Sequence, residues 1–120
     1  MVEQAVRLTV NFVVSSDQLE EFKGIAQAMT AVSRTEPDTL GYEWFVSADG
    51  KRFRLVENYV DSSAIEAHFM GAAVQHWVPK LAAVCTVDGF EIYGDPGPKV
   101  AELAGAFGAV VFKYWLGIDR

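Results

Sequence analysis

The chain has 120 residues, of which 51% are apolar and 22% charged, so it has the length and composition of one folded domain rather than of a disordered segment. Its formal net charge of −6 at pH 7 argues against nucleic acids and anionic membrane surfaces as partners, because both attract clustered lysine and arginine. The single cysteine, Cys85, excludes an internal disulfide. The charged N-terminal residues do not resemble a secretion signal, and no apolar run is long enough to cross a bilayer, so we expect a cytoplasmic protein.

The first third of the chain predicts a strand followed by a helix. Apolar residues alternate with others over Val6–Val14, which is the two-residue period of a strand. From Leu19 to Val32 they recur every three or four residues, as they do along an amphipathic helix. The helix is expected to end before Pro37, because proline disfavours a helical conformation in the residue ahead of it.

A β-hairpin is predicted next. The alternating runs Tyr42–Ser47 and Phe53–Val60 flank the pair Asp49–Gly50. Asp-Gly favours a tight hairpin turn, because both turn positions take a positive φ that these residues tolerate. The two runs are therefore expected to pair as antiparallel strands.

A second helical region and a fourth strand follow the hairpin. Helical periodicity extends from Ser63 to about Val84, and Gly71 and Pro79 within it indicate an interruption or a kink. Val87–Tyr93 alternates again and is predicted to be a strand.

The order of strand, helix, strand, strand, helix, strand is that of a ferredoxin-like α+β domain with an antiparallel sheet. We therefore predict a single domain over residues 1–120, with its core at 5–95 and a C-terminal extension at 96–116. The extension is predicted to contain a short helix and a fifth strand, Val100–Phe107 and Val110–Trp115.

Helices are expected to cover one face of this sheet, which leaves a second face to be explained. The first strand offers that face either Val6, Leu8, Val10 and Phe12 or the opposite set of side chains. A sheet does not leave a large apolar face in water, so we predict that the same face of a second copy covers it in a two-fold homodimer. The last strand is a candidate to reach across and pair with the partner.

No motif of high specificity for phosphate binding, metalloprotease chemistry or thiol redox chemistry is present in the sequence. The two histidines, His68 and His76, are eight residues apart, a spacing that does not bring them to one point of an ideal helix. No metal site and no cofactor are therefore predicted.

Three polar side chains are candidate catalytic residues. His68 shares a helix face with apolar residues, so it is either a buried neutral imidazole or a general base that works near neutral pH. Glu57 lies on an apolar strand face, where a carboxylate needs a partner, and His68 is one candidate. Asn11 interrupts the first strand and is either a solvated or hydrogen-bonded side chain or an amide that holds a substrate oxygen.

Four aromatic residues are candidates for substrate binding. Tyr42 and Trp44 share a face of the second strand, and Phe69 and Trp77 lie on the helical region that follows the hairpin. They either fill the core or line a pocket in which a flat ring can stack. An enzyme, a module that only binds a small aromatic molecule, and a structural dimer without a cavity all remain open at this point.

Part of the sequence resembles the antibiotic biosynthesis monooxygenase domain. The resemblance rests on a glycine–aromatic strand at Gly41–Phe45, a strand with a Glu-x-aromatic end at Phe53–Asp61, and Ala64 and His68 on the next helix. Gly94–Pro96, with the helix and strand behind it, also resembles one branch of that family.

The resemblance implies a dimeric α+β barrel with a pocket between sheet and helices in each subunit. It also implies a cofactor-independent monooxygenase that oxidises a small aromatic, quinol-like or polyphenol-like substrate with O2. In such an enzyme His68 would be the base, Glu57 its orienter and Asn11 the donor to the oxyanion. The alternative is a non-catalytic dimeric protein of the same fold that binds a small molecule or serves in a stress response.

Overall fold

The computed structural model describes residues 5–118 and confirms the α+β class and the ferredoxin-like order of elements. A 3-10 turn at Ser16–Gln18 precedes the first helix, and a π-helix at Ala73–Trp77 separates the second helix from the third. In chain order the strands and α-helices are β1 (Val6–Val13), α1 (Leu19–Ser33), β2 (Thr39–Val46), β3 (Arg52–Tyr59), α2 (Ser62–Met70), α3 (Val78–Ala82), β4 (Thr86–Tyr93), α4 (Pro98–Gly105) and β5 (Val110–Phe112).

The five strands form one sheet in the order β2-β3-β1-β4-β5. Neighbouring strands among the first four in this order run antiparallel. Strand β5 pairs with β4 in parallel, after the chain crosses over through α4. The predicted hairpin links β2 to β3, and the Gly50 N–H donates to the Ser47 carbonyl at 2.9 Å. Gly50 has a φ of +76°, but Asp49 does not have a positive φ, which corrects the expectation for the first turn position. Over residues 5–118, none of the helices has the length and apolarity that crossing a membrane requires.

The core lies between the sheet and the helices. Val6, Leu8, Val10 and Phe12 of β1 all point to this side and are buried. Phe22 of α1 is fully buried among aromatic rings, with ring-centroid distances of 5.6 Å to Phe12, 4.7 Å to Phe53 and 5.9 Å to Trp44. The helical spacing of α1 thus places its apolar side on the sheet, as its sequence predicts.

The opposite sheet face carries charged and polar side chains among a few apolar ones, which corrects the prediction of a mainly apolar second face. On β1, Arg7 and Val13 are exposed and Thr9 and Asn11 are half-buried. Side chains alternate along a strand, so burial of the apolar set beneath the helices leaves the more polar set on this open face. The homodimer through this face stays a prediction.

Two glycines on the open face make room for asparagine side chains. A Cβ at Gly89 would lie 2.6 Å from the amide nitrogen of Asn11, and one at Gly41 would lie 2.9 Å from that of Asn58. Gly89 is the β4 residue directly opposite Asn11, next to a register shift in the β1–β4 pairing. Each asparagine therefore occupies the space of a missing side chain on the neighbouring strand.

The C-terminal extension is shorter in regular structure than predicted. Strand β5 ends at Phe112 rather than at Trp115, and all three of its residues are exposed. Trp115 is 88% exposed and is followed by exposed Leu116 and Ile118. The helix α4 starts at Pro98, and its buried residues Val100 and Ala104 fix it against the rest of the domain.

Candidate active site

A cavity of about 310 Å³ lies between the sheet and the second half of the helical layer. Its walls are mostly apolar: Val10 and Leu55 come from the sheet, and Phe69 and Leu81 come from the helices. Its exposed lining residues include Gln75 and Phe107, which mark the side open to solvent. A ligand in this cavity would therefore contact mostly apolar side chains.

One end of the cavity is polar because α2 and two strands direct ionisable side chains to it. Asp61 caps α2 by accepting a hydrogen bond from the Ala64 N–H at 2.9 Å, which sets where the helix starts. From that start, His68 falls on the buried face of the helix. Tyr42 of β2 and Glu57 of β3 reach the same end from the sheet.

The His68 ring is held between two carboxylates. Its Nδ1 lies 2.8 Å from Oε1 of Glu36, and its Nε2 lies 3.7 Å from Oε1 of Glu57. The ring is only 2% exposed, so the bond to Glu36 satisfies a nitrogen that water does not reach. Donation of Nδ1–H to Glu36 leaves Nε2 of a neutral ring as the proton acceptor.

Glu36 connects this ring to the protein surface. It lies in the segment between α1 and β2, its side chain is 24% exposed, and it also accepts a hydrogen bond from the Thr39 hydroxyl at 2.8 Å. His68 and Glu36 both line a second, more open cleft between residues 35–39 and the start of α2. The imidazole therefore separates the cavity from a surface cleft.

Glu57 is buried at the floor of the polar end and accepts a hydrogen bond from the Tyr59 hydroxyl. Burial raises the pKa of Glu57 above its ordinary value, while the adjacent His68 and the Tyr59 hydrogen bond work in the opposite direction. The side chain that lies beside Nε2 is thus a carboxyl group that holds its proton more readily than one in water.

Tyr42 brings a hydroxyl group to the polar end of the cavity. Its ring centroid lies 5.6 Å from that of His68, and its hydroxyl oxygen is buried without a hydrogen-bond partner among residues 5–118. The nearby Ser33 hydroxyl donates to the Met29 carbonyl at 2.9 Å. Burial, and then the Glu57 carboxylate, raise the pKa of Tyr42 well above its usual value, so the phenol stays protonated.

The chain matches a known protein family. The model of the antibiotic biosynthesis monooxygenase family matches residues 5–80, most of the chain and all of the polar end of the cavity. The chain belongs to this family. A comparison with curated proteins gives no match.

Solved structures show the same fold. MupZ from Pseudomonas fluorescens aligns with a TM-score of 0.82 at 16% identity, over 98% of this chain and 95% of its own. SnoaB from Streptomyces nogalater, a cofactor-independent oxygenase, aligns with a TM-score of 0.67 at 14% identity, over 79% and 96%. Rv0793 from Mycobacterium tuberculosis aligns with a TM-score of 0.69 at 20% identity, over 78% and 97%.

The structure brings together four of the seven residues predicted for the site of this family member. Tyr42, Glu57, His68 and Phe69 all line the cavity. The predicted orienting role of Glu57 needs a correction, because the carboxylate hydrogen-bonded to His68 is that of Glu36. Glu57 instead faces the other ring nitrogen.

The remaining three predicted residues lie elsewhere. Asn11 is on the open sheet face against Gly89, so it does not reach the cavity beside His68. Trp44 lines a separate cleft beside α1, and its indole N–H donates to the Thr30 hydroxyl at 2.9 Å. Trp77 is half-buried at the end of the π-helix, edge-on to His76, and is not among the cavity-lining residues.

Sequence reasoning also missed contributors to the site. Glu36 is 32 residues from His68 in the sequence. The sequence indicates only that a buried histidine needs a hydrogen-bond acceptor, and it does not indicate which residue supplies one. Leu103 of α4 and Phe107 behind it line the cavity from the extension, outside the residues that the family model matches. Cys85 also lines it, and burial raises the pKa of its thiol to about 11, so the thiol stays protonated at neutral pH.

Proposed function

We propose that this protein is a cofactor-independent monooxygenase that oxidises a small aromatic substrate of the quinol or polyphenol type with O2. The observation that carries the proposal is the state of His68. It is a buried imidazole whose Nδ1 is fixed by a carboxylate, and it lines an apolar cavity in a member of the antibiotic biosynthesis monooxygenase family. That arrangement suits a base that removes a proton in a water-poor space.

In the proposed mechanism, Nε2 of His68 takes the acidic proton of the bound substrate. The Glu36 carboxylate at 2.8 Å from Nδ1 orients the ring and stabilises the imidazolium that forms. Glu57 lies on the Nε2 side and adds to that stabilisation when it is ionised. The deprotonated substrate is electron-rich and donates electrons to O2.

The overall reaction balances for an anthrone, in which a ring CH2 group becomes a carbonyl. The carbon loses two hydrogens and gains one oxygen atom of O2, while the second oxygen atom leaves as water. The four electrons that O2 accepts come from this carbon, so no other reductant is needed. The chain supplies the base, the apolar walls and the orientation of the substrate.

The size of the cavity favours a small substrate. Its volume of about 310 Å³ is at the lower end of the range of roughly 300–1,000 Å³ for small-molecule pockets. Phe69 and Phe107 offer aromatic surface on which a ring can stack. We therefore favour a substrate of two or three fused rings over a larger polyphenol.

Oxygen consumption by purified, metal-free protein tests the proposal. A panel of quinols and anthrones is assayed with wild type, His68→Ala and His76→Ala, the last being a matched control because His76 is exposed and does not line the cavity. We expect uptake in wild type, a loss of about 10²–10⁴-fold in His68→Ala and no change in His76→Ala. Uptake that survives His68→Ala would remove His68 as the base.

The same panel separates the enzyme from a binding protein. Ligand binding is measured without O2 for each compound and each variant. Binding of several compounds with no uptake from any of them would contradict the monooxygenase proposal and favour a module that holds a small aromatic molecule. In that case His68→Ala should leave the affinities for the ligands largely unchanged.

A further inference from the structure

The C-terminal extension forms part of the cavity wall. Leu103 of α4 and Phe107, two residues beyond the end of that helix, both line the cavity. The helix is anchored because Val100 and Ala104 are fully buried against the rest of the domain. Both lining residues lie beyond residues 5–80, which the family model matches. This part of the wall is therefore an addition to the matched domain.

The end of α4 fixes where Phe107 lies. Gly108 has a φ of +85°, the left-handed conformation in which a glycine commonly ends a helix. The Gly108 N–H donates to the Gly105 carbonyl at 3.0 Å. The Ala109 N–H donates to the Ala104 carbonyl at 3.1 Å, and together these are the two bonds of a Schellman motif. The turn therefore holds the backbone of Phe107 in a defined position beside the cavity.

The Phe107 ring lies on the open side of the cavity with little cover from the protein. It is 58% exposed, whereas Phe12 and Phe69, which also line the cavity, are buried. Removal of apolar surface from water is favourable, and a flat ligand ring placed against Phe107 would cover it. An exposed aromatic ring at this position therefore favours an aromatic ligand that extends to the open side.

The lining also limits the charge that a ligand can carry. Among residues 5–118, the cavity lining contains one carboxyl group, that of Glu57, and no lysine or arginine. A negatively charged substituent would lose hydration in the cavity without gaining a cationic partner. Leu103 and Phe107, the lining residues of the extension, offer such a substituent only apolar surface.

We propose that Leu103 and Phe107 form a specificity wall, which selects an aromatic ligand whose ring remote from His68 is uncharged. This inference rests on the proposed function for the orientation of the ligand, and it names the residues that choose among aromatic substrates. A ligand whose hydroxyl lies beside His68 presents its other ring to Phe107 on the open side of the cavity. Phe107 stacks on that ring, and the specificity wall offers no partner to a charge on it.

Calorimetric titration without O2 tests the specificity wall. The ligands are 2-naphthol and 6-hydroxynaphthalene-2-sulfonate, which differ in one charged group on the ring remote from the hydroxyl. Wild type should bind 2-naphthol about tenfold more tightly than the sulfonate, because the charge loses hydration without a partner. Phe107→Ala should weaken 2-naphthol binding about 3–10-fold, because the stacking ring is lost. Phe107→Arg should bind the sulfonate about fivefold more tightly than wild type does, because it supplies the missing cation.

Phe112→Arg is the matched control, because Phe112 belongs to the same extension, is 46% exposed and does not line the cavity. It makes the same change in charge, and it should leave both affinities within about twofold of wild type, because salt screens a distant surface charge. The Phe107 variants should melt near the wild-type temperature, since the ring they replace is exposed.

Several results would overturn the inference. They are no binding of either ligand to wild type, equal binding of both, unchanged 2-naphthol affinity in Phe107→Ala, the same gain in sulfonate affinity in Phe112→Arg as in Phe107→Arg, and Phe107 variants that melt far below wild type. Because binding needs no O2, selective binding by a protein that consumes no oxygen would refute the monooxygenase alone. Oxygen uptake together with unselective binding would refute the specificity wall alone.

Discussion

Replacement of Glu36 tests whether this residue positions the buried imidazole. In Glu36→Ala, Nδ1 of a ring that is 2% exposed loses the carboxylate acceptor at 2.8 Å. A hydrogen bond to a charged group contributes about 1.5–3 kcal/mol, so the free energy of unfolding should fall by that amount. The Thr39 hydroxyl also loses its acceptor, but it is only half-buried and water can serve it.

The conservative variant separates the hydrogen bond from the charge. Glu36→Gln keeps an acceptor oxygen, so it should lose only about 1 kcal/mol. Urea unfolding at pH 8 measures both variants, with Glu66→Ala on the exposed side of α2 as a control expected within about 0.5 kcal/mol of wild type. In oxygen uptake, Glu36→Ala should lose at least about tenfold in kcat/KM and Glu36→Gln should recover part of it. Equal stability of Glu36→Ala and wild type would refute the reasoning.

Four further predictions follow from the structure. Phe22→Ala should lower the free energy of unfolding by about 3–5 kcal/mol, measured in urea, because it empties the centre of the aromatic cluster. Burial raises the folded-state pKa of Glu57, so its protonation favours folding below the unfolded pKa of about 4.3, and this contribution is lost as pH rises through the folded pKa. The melting temperature of Glu57→Gln should lack this decline in stability with rising pH. Parallel pH profiles of the melting temperature in mutant and wild type would contradict the prediction. Gly89→Ala should cost about 1–3 kcal/mol in urea unfolding, since its Cβ meets Asn11 at 2.6 Å, and a second change, Asn11→Ala, should restore most of the loss. A chain cut before Gly97 should sediment as a weaker dimer than the full chain, and an unchanged dissociation constant would remove the extension from the predicted subunit interface.

The fold was predictable because its signals are local. The two-residue period of β1, the helical period of α1 and the Asp49–Gly50 turn each depend on neighbours in sequence, and each element formed where its pattern lies. The extension was harder to predict, since β5 is a short edge strand whose end depends on pairing with β4. Its last apolar residues have no partner strand within the described chain, so alternation alone overstated its length.

The site was less predictable because it depends on distances across the fold. Glu36 meets His68 only after the segment before β2 closes against α2, a contact that no spacing indicates. Trp44 and Tyr42 lie on the same side of the sheet. Trp44 is two residues, or roughly 7 Å, further along β2, so it packs against α1 and lies outside the cavity. The position of Asn11 depends on the alternation of side chains along β1. A shift of one residue along the strand moves a side chain from the cavity to the open face.

The position of His68 between the cavity and the surface cleft has a consequence for water and protons. The wall at this point is a single imidazole ring, with Nδ1 on the side of Glu36 and Nε2 on the side of Glu57. Imidazole takes up a proton at one nitrogen and releases one from the other. A proton can therefore pass between the surface cleft and the polar end of the cavity through this ring, by a route separate from the side of the cavity that Phe107 lines.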